Sequence, residues 1–277
     1  MATNGSSSGV VPAVDTSAAA AAPEQAEEFN PLEMLMQMAE EGPPQAAEEP
    51  AEPEENIYDK PLEDGQDGYT VYSSAKAAEA ALGLDNGGET DQWQKKLTPN
   101  QQKGVDIYTG SYYKTMNEWM RKLSTTISDY AKQYLPSLQH ALDKFTVHKP
   151  IVTHRGMGPE IFGLDKYATP QEIMAAVKIL AASGGQVTDL GFTSSSAATG
   201  EEFGGSVVLH TQTPAGKGIG AFVAGVSHYG KSENEFLYNS GSHFQILGAY
   251  FKDGQVHVNA RYTGRDKSTN NAKHITG

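Results

Sequence analysis

The sequence has no cysteine, which excludes disulfide stapling, thiolate catalysis and thiolate metal sites, and leaves stability to packing. Long apolar runs are missing too, and no stretch approaches the roughly 20 residues of a membrane-spanning helix. Met1 to Ser17 has no basic segment followed by an apolar one, so a cleavable signal peptide is not expected and any export would need another route. Aromatic and β-branched residues are scarce up to about Asp67, where Ala, Glu, Pro, Gly and Ser dominate. Such a segment cannot bury enough apolar area to offset the entropy of ordering, and it reads as a disordered acidic tail. Basic charge is sparse there as well. Residues 1 to 96 hold 20 acidic and 4 basic side chains, net −16, whereas residues 97 to 277 hold 14 acidic and 17 basic, net +3. A net +3 tolerates an anionic cofactor but lacks the character of a dedicated nucleic-acid binder, so neither nucleic acid nor a membrane is expected as a partner.

What is present divides the 277 residues into a tail and one catalytic-sized domain. Within the tail, Phe29 to Met38 places Asn30 as an N-cap and Pro31 at the first helical position, which predicts a short helix near 30–41. Its Leu and Met side chains have no local core. It reads either as a docking helix for a partner or packaging factor, or as transient helicity in a tail. Ala-rich Ser74 to Leu82 predicts a weak helix and Gly83 to Gly88 a linker, so the tail is set at residues 1–90 and order is expected from Trp93. Thr98 and Pro99 then open a helix with Val105, Ile107 and Tyr108 on its buried side. A break at Tyr108-Thr109-Gly110-Ser111 starts a second helix, Tyr112 to Arg121, and a third runs from Ser124 to about Phe145.

From Ile151 the period changes. Ile151 to Thr153, Val187 to Ser194, Ser206 to Thr213, Ile219 to Val226, Glu233 to Tyr238, His243 to Phe251 and Val256 to Tyr262 are β-branched or alternating runs between Gly, Pro and Asn turns. Only Pro170 to Ala182, capped by Thr169, reads as helix in that region. Helices followed by closely connected strands predict an α+β domain over residues 93–265, mostly antiparallel, with a cleft between its sheets and a polar tail at 266–277.

Three segments carry chemistry. Glu233-Asn234-Glu235 opens an apolar, aromatic run, and on a strand both carboxylates would face one side, rooted about 6.5 Å apart. They could share one substrate without sharing one proton, or they could form an acidic solvent face. Arg155 ends a run against Gly156, which leaves a planar fork free for a pyrophosphate or for a structural ion pair. Ser194 lies in a run of hydroxyls that is either a donor and acceptor beside a carboxylate or a serine-rich turn.

Taken in order and spacing, Thr153-His154-Arg155-Gly156, Gly191-Phe192-Thr193-Ser194-Ser195-Ser196 and Glu233-Asn234-Glu235 resemble a known signature. It is the Arg, Ser-Thr-Ser, Glu-x-Glu pattern of mono-ADP-ribosyltransferases of the clostridial binary toxin and bacteriophage type. Leu97-Thr98-Pro99, Tyr108 to Ser111 and Asn117 resemble the helical opening of that family, Phe203-Gly204 its cofactor loop, and Pro214 to Ala221 a strand connection. The resemblance covers about residues 93–265. It implies an ADP-ribosyltransferase-like fold in which N-terminal helices pack on two mostly antiparallel sheets around an NAD cleft.

The same resemblance implies NAD as co-substrate, with no metal, held by Arg155, Gly156, Ser194, Ser196, Phe203 and Glu235. Ser194 would hold the catalytic Glu and the ribose; the family's middle threonine is Ser195 here, a difference of one methyl. Glu235 would bind the ribose 2′-hydroxyl and stabilise an oxocarbenium-like transition state. Glu233 would orient or deprotonate the nucleophile, a role typically worth about 100- to 10,000-fold, and a Glu at this position accompanies arginine as acceptor in that family. Attack opposite the departing nicotinamide implies inversion to an α-linked product.

Tyr229, in the loop before the acids, would meet the target, or is an exposed turn tyrosine. Phe203 would pack on nicotinamide, or anchors its loop. The toxin-like arginine three residues after that Phe is Ser206 here, which implies fewer contacts to cofactor phosphate. His154 and His228 flank the site without an assigned role. The activity implied is arginine-specific mono-ADP-ribosylation of host proteins in the host cytoplasm by a secreted or virion-packaged effector, from a phage or a bacterium. The alternatives are an NAD glycohydrolase, transfer to a non-protein acceptor, or a catalytically silent interaction protein whose tail is the functional part.

Overall fold

The structure, a computed structural model, describes residues 55–85, 87–202, 204–230 and 234–270. The predicted helix at 30–41 lies outside the described residues, as do Phe203 and Glu233.

Helices form where the caps predict them. Thr98 Oγ1 accepts from the Gln101 amide while the Gln101 side chain accepts from the Thr98 amide, closing a capping box ahead of Pro99–Ile107. Thr169 and Glu172 repeat that arrangement ahead of Pro170–Ala182, whose bounds match the sequence reading. Tyr113–Met120 follows the kinked turn Tyr108–Tyr112, in which Gly110 leaves helical geometry. The third helix is Asp129–Asp143 and starts later than predicted, because Ser128 is its cap and the stretch from Lys122 turns before it. Gly104 lets the 99–107 and 129–143 helices touch, since a Cβ there would lie 3.0 Å from the Leu138 amide.

The strands are β1 (Thr146–Val147), β2 (Ile151–Met157), β3 (Gln186–Asp189), β4 (Thr193–Ser196) and β5 (Val207–Thr213). They continue with β6 (Gly216–Lys217), β7 (Gly220–Phe222), β8 (Glu235–Tyr238), β9 (Ser242–Lys252) and β10 (Gln255–Arg265). β1 and β6 make a small ribbon, and the rest are ordered β3-β9-β10-β5-β2-β4-β8-β7. All neighbours in that order are antiparallel except β5 and β10. At the centre, β2 meets β4 through one residue pair, His154 with Ser196. The sheet therefore consists of a five-stranded and a three-stranded part that diverge from that pair. The predicted run 187–194 is split by a turn after Asp189, and the run 219–226 keeps its ladder only over Gly220–Phe222. Tyr238 sits in the core between Phe236, Phe244 and Tyr262, with its hydroxyl bonded to Thr153 and Thr213.

Residues 55–90, read from composition as tail, weak helix and linker, pack against this sheet. Asn259 donates to the carbonyls of Tyr58 and Lys60 at 2.7 Å each, and Asp59 accepts from the Ala249 amide at 3.0 Å. Thr70 bridges to Ile151, and Ala78, Leu82 and Leu84 are buried in the hydrophobic core. The acidic, Gly-rich composition hides this because few apolar side chains make the contact, Ala78, Leu82, Leu84 and Tyr72 among them, and polar groups such as Asp59 and Asp67 make much of the rest. Among the described residues, no helix is long and apolar enough to cross a membrane.

Candidate active site

A cavity of about 400 Å³ opens where β2 and β4 part. Arg155 and Gly156 reach it from β2, Ser194 and Ser196 from β4, Glu235 from the start of β8, and Tyr229 from the loop before it. Antiparallel pairing sets this convergence, with Ser196 opposite Glu235 and Ser194 opposite Leu237. Six of the eight residues singled out in the sequence thus line one cavity. The other two are Phe203 and Glu233, which lie outside the described residues.

Arg155 donates from Nη1 to the Ser194 carbonyl at 2.9 Å, which ties β2 to β4 beside their single paired position. Its Nε is buried with no hydrogen-bond partner among the described residues. Burial works against the Arg155 charge, and Asp189 nearby offsets it. Ser196 is engaged locally, since its hydroxyl donates to the Ala198 carbonyl at 2.9 Å and accepts from the Ala198 amide at 3.1 Å. Glu235 is buried, and Asn234 before it takes a left-handed backbone conformation at φ 47°. That kink leads the chain from the preceding loop into β8.

The helical side supplies further residues, of which the sequence reading names Tyr108 and Asn117 without a role in the site and does not single out Arg121. Tyr108 is buried in the cavity wall, where burial and then the negative charge of Glu235 push its hydroxyl pKa up. Asn117 donates to the Tyr108 hydroxyl at 3.0 Å and accepts from the Phe192 amide at 2.8 Å. Arg121 forms a two-point ion pair with Asp189, Nε to Oδ1 at 2.7 Å and Nη2 to Oδ2 at 2.8 Å. His228 faces the helices and not the cavity: its amide donates to Thr109 Oγ1 at 2.8 Å and its ring meets Asp106 at 3.2 Å. It pins the loop that carries the half-exposed Tyr229, whose ring stands edge-on to the imidazole. Glu201 and Glu202 complete the rim. Among the described residues, no group of His, Asp and Glu is arranged to hold a metal ion.

His154 belongs to a row that crosses the sheet. Its Nδ1 meets His210 Nδ1 at 2.7 Å, and His210 Nε2 meets His257 Nδ1 at 2.9 Å. Each N–H···N contact holds one proton, so four protons are the most the row carries with both contacts intact, one more than three neutral rings carry. Burial pushes His154 down to about 4 and His210 well below its ordinary value. His257 is lowered too, chiefly by burial, with the Lys252 charge adding to the shift while the Lys252 backbone, Glu202 and Asp253 oppose it.

With depressed values in the fold, the unfolded chain binds more protons below about pH 6.5. Stability is full above that point and falls as pH drops toward 4, by about 1.4 kcal/mol per pH unit for each of His154 and His210 in the window where only the unfolded chain is protonated. Thermal melts from pH 7.5 to 4.5 should show the loss, and His210→Leu should flatten it. An equal slope in that variant would assign the acid sensitivity elsewhere.

Comparison with known proteins places this geometry. None of the curated proteins matches the chain. The fold is shared with Plx2a, an ADP-ribosyltransferase toxin from Paenibacillus larvae, at 18% identity and TM-score 0.58 over 73% of this chain and 100% of that one. It is shared with the Clostridium limosum C3 exoenzyme at 15% identity and TM-score 0.60 over 72% and 99%. BECa, an ADP-ribosylating toxin of a C. perfringens binary enterotoxin solved with NADH, matches at 20% identity and TM-score 0.58 over 70% of this chain and 50% of that chain. The family model for the ADP-ribosyltransferase exoenzyme matches residues 86–275, which span every cavity-lining residue named above. The chain belongs to the ADP-ribosyltransferase exoenzyme family.

Proposed function

We propose that this chain moves ADP-ribose from NAD to arginine side chains of host proteins and releases nicotinamide. Family membership makes it a transferase acting on NAD; the arginine acceptor and the residue roles are the further step. The observation that carries the reading is the meeting of Arg155, Ser194 and Glu235, from three different strands, in one cavity. A buried guanidinium whose Nε has no partner among the described residues fits a pyrophosphate oxygen. Gly156 beside it and Ser196, which pairs with Glu235, form wall of the same cavity. Phe203 is assigned to packing on nicotinamide.

In this mechanism the bond between ribose C1′ and nicotinamide breaks, and its electron pair leaves with nicotinamide. Glu235 bonds the ribose 2′-hydroxyl, and its charge stabilises the oxocarbenium-like centre, an effect strengthened by the burial of its carboxylate. Ser194 holds Glu235 and the ribose. A guanidine nitrogen then bonds C1′ from the opposite face, and Glu233 takes the proton the guanidinium gives up. Tyr229, half-exposed at the cavity mouth, meets the target protein. Glu233→Gln should therefore lower transfer to agmatine, a small guanidine, by about 100-fold or more while NAD hydrolysis falls far less. Mass spectrometry of the agmatine adduct together with nicotinamide release tests this. Equal loss of both activities would contradict the split between the two acids, and nicotinamide release by wild type without an adduct would favour the glycohydrolase.

A further inference from the structure

We propose that the Arg121–Asp189 ion pair is a positioning device that sets Ser194 and, through it, the Arg155 guanidinium without touching the cofactor. This rests on the reading that NAD is held by Arg155 and Ser194. Neither Arg121 nor Asp189 lines the cavity. Between them they fix the turn that leads into β4. Asp189 accepts from the Gly191 amide at 2.9 Å and from the Thr193 hydroxyl at 2.8 Å, besides both contacts from Arg121. Arg121 Nη2 also reaches the Phe192 carbonyl at 3.3 Å, and Asn117 takes the Phe192 amide. The turn is held on its side-chain, amide and carbonyl groups alike, one residue before Thr193 and two before Ser194.

The fit is close enough to require glycine at its centre. A Cβ on Gly191 would lie 2.6 Å from Asn117 Oδ1 and 3.1 Å from Arg121 Nε. From there the chain of contacts runs to the cofactor site, because the Ser194 carbonyl accepts the Arg155 Nη1 bond at 2.9 Å. A displaced turn therefore moves the carbonyl that aims the guanidinium. Charge runs along the same line. Burial raises the Asp189 carboxyl, but Arg121 and then Arg155 overcome it and hold the pKa below the usual carboxylate range. Asp189 thus stays ionised beside two guanidinium groups. A buried ion pair contributes little net stability compared with apolar residues of the same volume, so packing alone does not account for this one. What an apolar pair cannot do is hold the turn's amide, hydroxyl and carbonyl groups in fixed directions.

Arg121→Lys tests the proposal, because it keeps the charge while losing the two-point fork and the Phe192 contact. Full-length protein that melts cooperatively within a few degrees of wild type should show a KM for NAD raised about tenfold in nicotinamide release, with kcat changed by less than about threefold. A purely structural pair would lower the melting temperature and leave KM unchanged in the folded fraction. Arg155→Lys supplies the second measurement: the Arg121→Lys/Arg155→Lys double variant should bind NAD about as weakly as Arg155→Lys alone, the non-additivity of two residues acting through one contact. Should Arg121→Lys fail to fold, Asp189→Asn, which keeps an oxygen for the Gly191 amide, carries the same comparison. Folded variants with wild-type KM, or effects that multiply in the double variant, would overturn the proposal. Wild type that neither binds NAD nor releases nicotinamide would instead overturn the cofactor reading, and this inference with it.

Discussion

Glu235→Ala is expected to give a folded protein that releases nicotinamide on the order of 100 to 1,000 times more slowly than wild type. The reason is where the carboxylate lies. Glu235 is buried at the first position of β8, beside the carbonyl-anchored Arg155 and across from Ser196. A negative charge kept from water acts on a developing cation with little screening, and removing such a preorganised group costs about 2.7–4 kcal/mol of transition-state stabilisation. Hydrolysis and transfer share the cleavage step, so both should fall together. Folding should survive, because the apolar residues Phe236, Leu237 and Tyr238 that hold the strand in the core stay intact. Steady-state nicotinamide release alongside a circular dichroism melt checks the prediction. Wild-type turnover in the variant would return Glu235 to the status of an ordinary strand residue.

Removing residues 1–90 should abolish folding, whereas removing residues 1–54 should leave NAD turnover near wild type. The first cut takes Leu82 and Leu84 from the core, each contributing about 1.5–3 kcal/mol by burial. It also takes the two carbonyls that accept from the Asn259 side-chain nitrogen in the sheet interior, and an orphaned buried donor costs about 1–3 kcal/mol. The strand β2 that carries Arg155 loses its bridge at Thr70. Together these losses approach the 5–15 kcal/mol that separates a typical native domain from its unfolded state. The shorter cut removes none of the described contacts. Melting curves of the two truncations decide the matter: a cooperative melt and nicotinamide release from the 91–277 protein would show that the strap from 55 to 90 is dispensable.

Much of the site could be read from sequence because its signals are local. Thr98-Pro99 and Thr169-Pro170 announce helix starts by side-chain capping, which depends on residues three apart. Arg155, Ser194 and Glu235 stand in recognisable short motifs, and each sits on a strand. The supporting parts were not legible, because they depend on which strands become neighbours. His154 and His210 face each other only because β2 and β5 pair in that register, and His257 joins them only through the single parallel pairing of the sheet, β5 with β10. Arg121 and Asp189 are 68 residues apart in sequence, and nothing near either one marks the other. The 55–90 segment escaped for a different reason. Its composition is that of a tail, and its attachment rests on backbone carbonyls, on the carboxylates of Asp59 and Asp67 and on a few apolar side chains, with the polar partners lying roughly 145 to 200 residues away.

The central claim is transfer of ADP-ribose from NAD to arginine. The most direct test incubates the full-length protein with NAD labelled in its ADP-ribose half and a host-cell lysate, then treats the labelled proteins with neutral hydroxylamine, which cleaves arginine linkages. The account predicts protein-bound label that hydroxylamine removes and that Glu235→Ala does not produce. Nicotinamide release with no protein-bound label, or label that resists hydroxylamine, would contradict it.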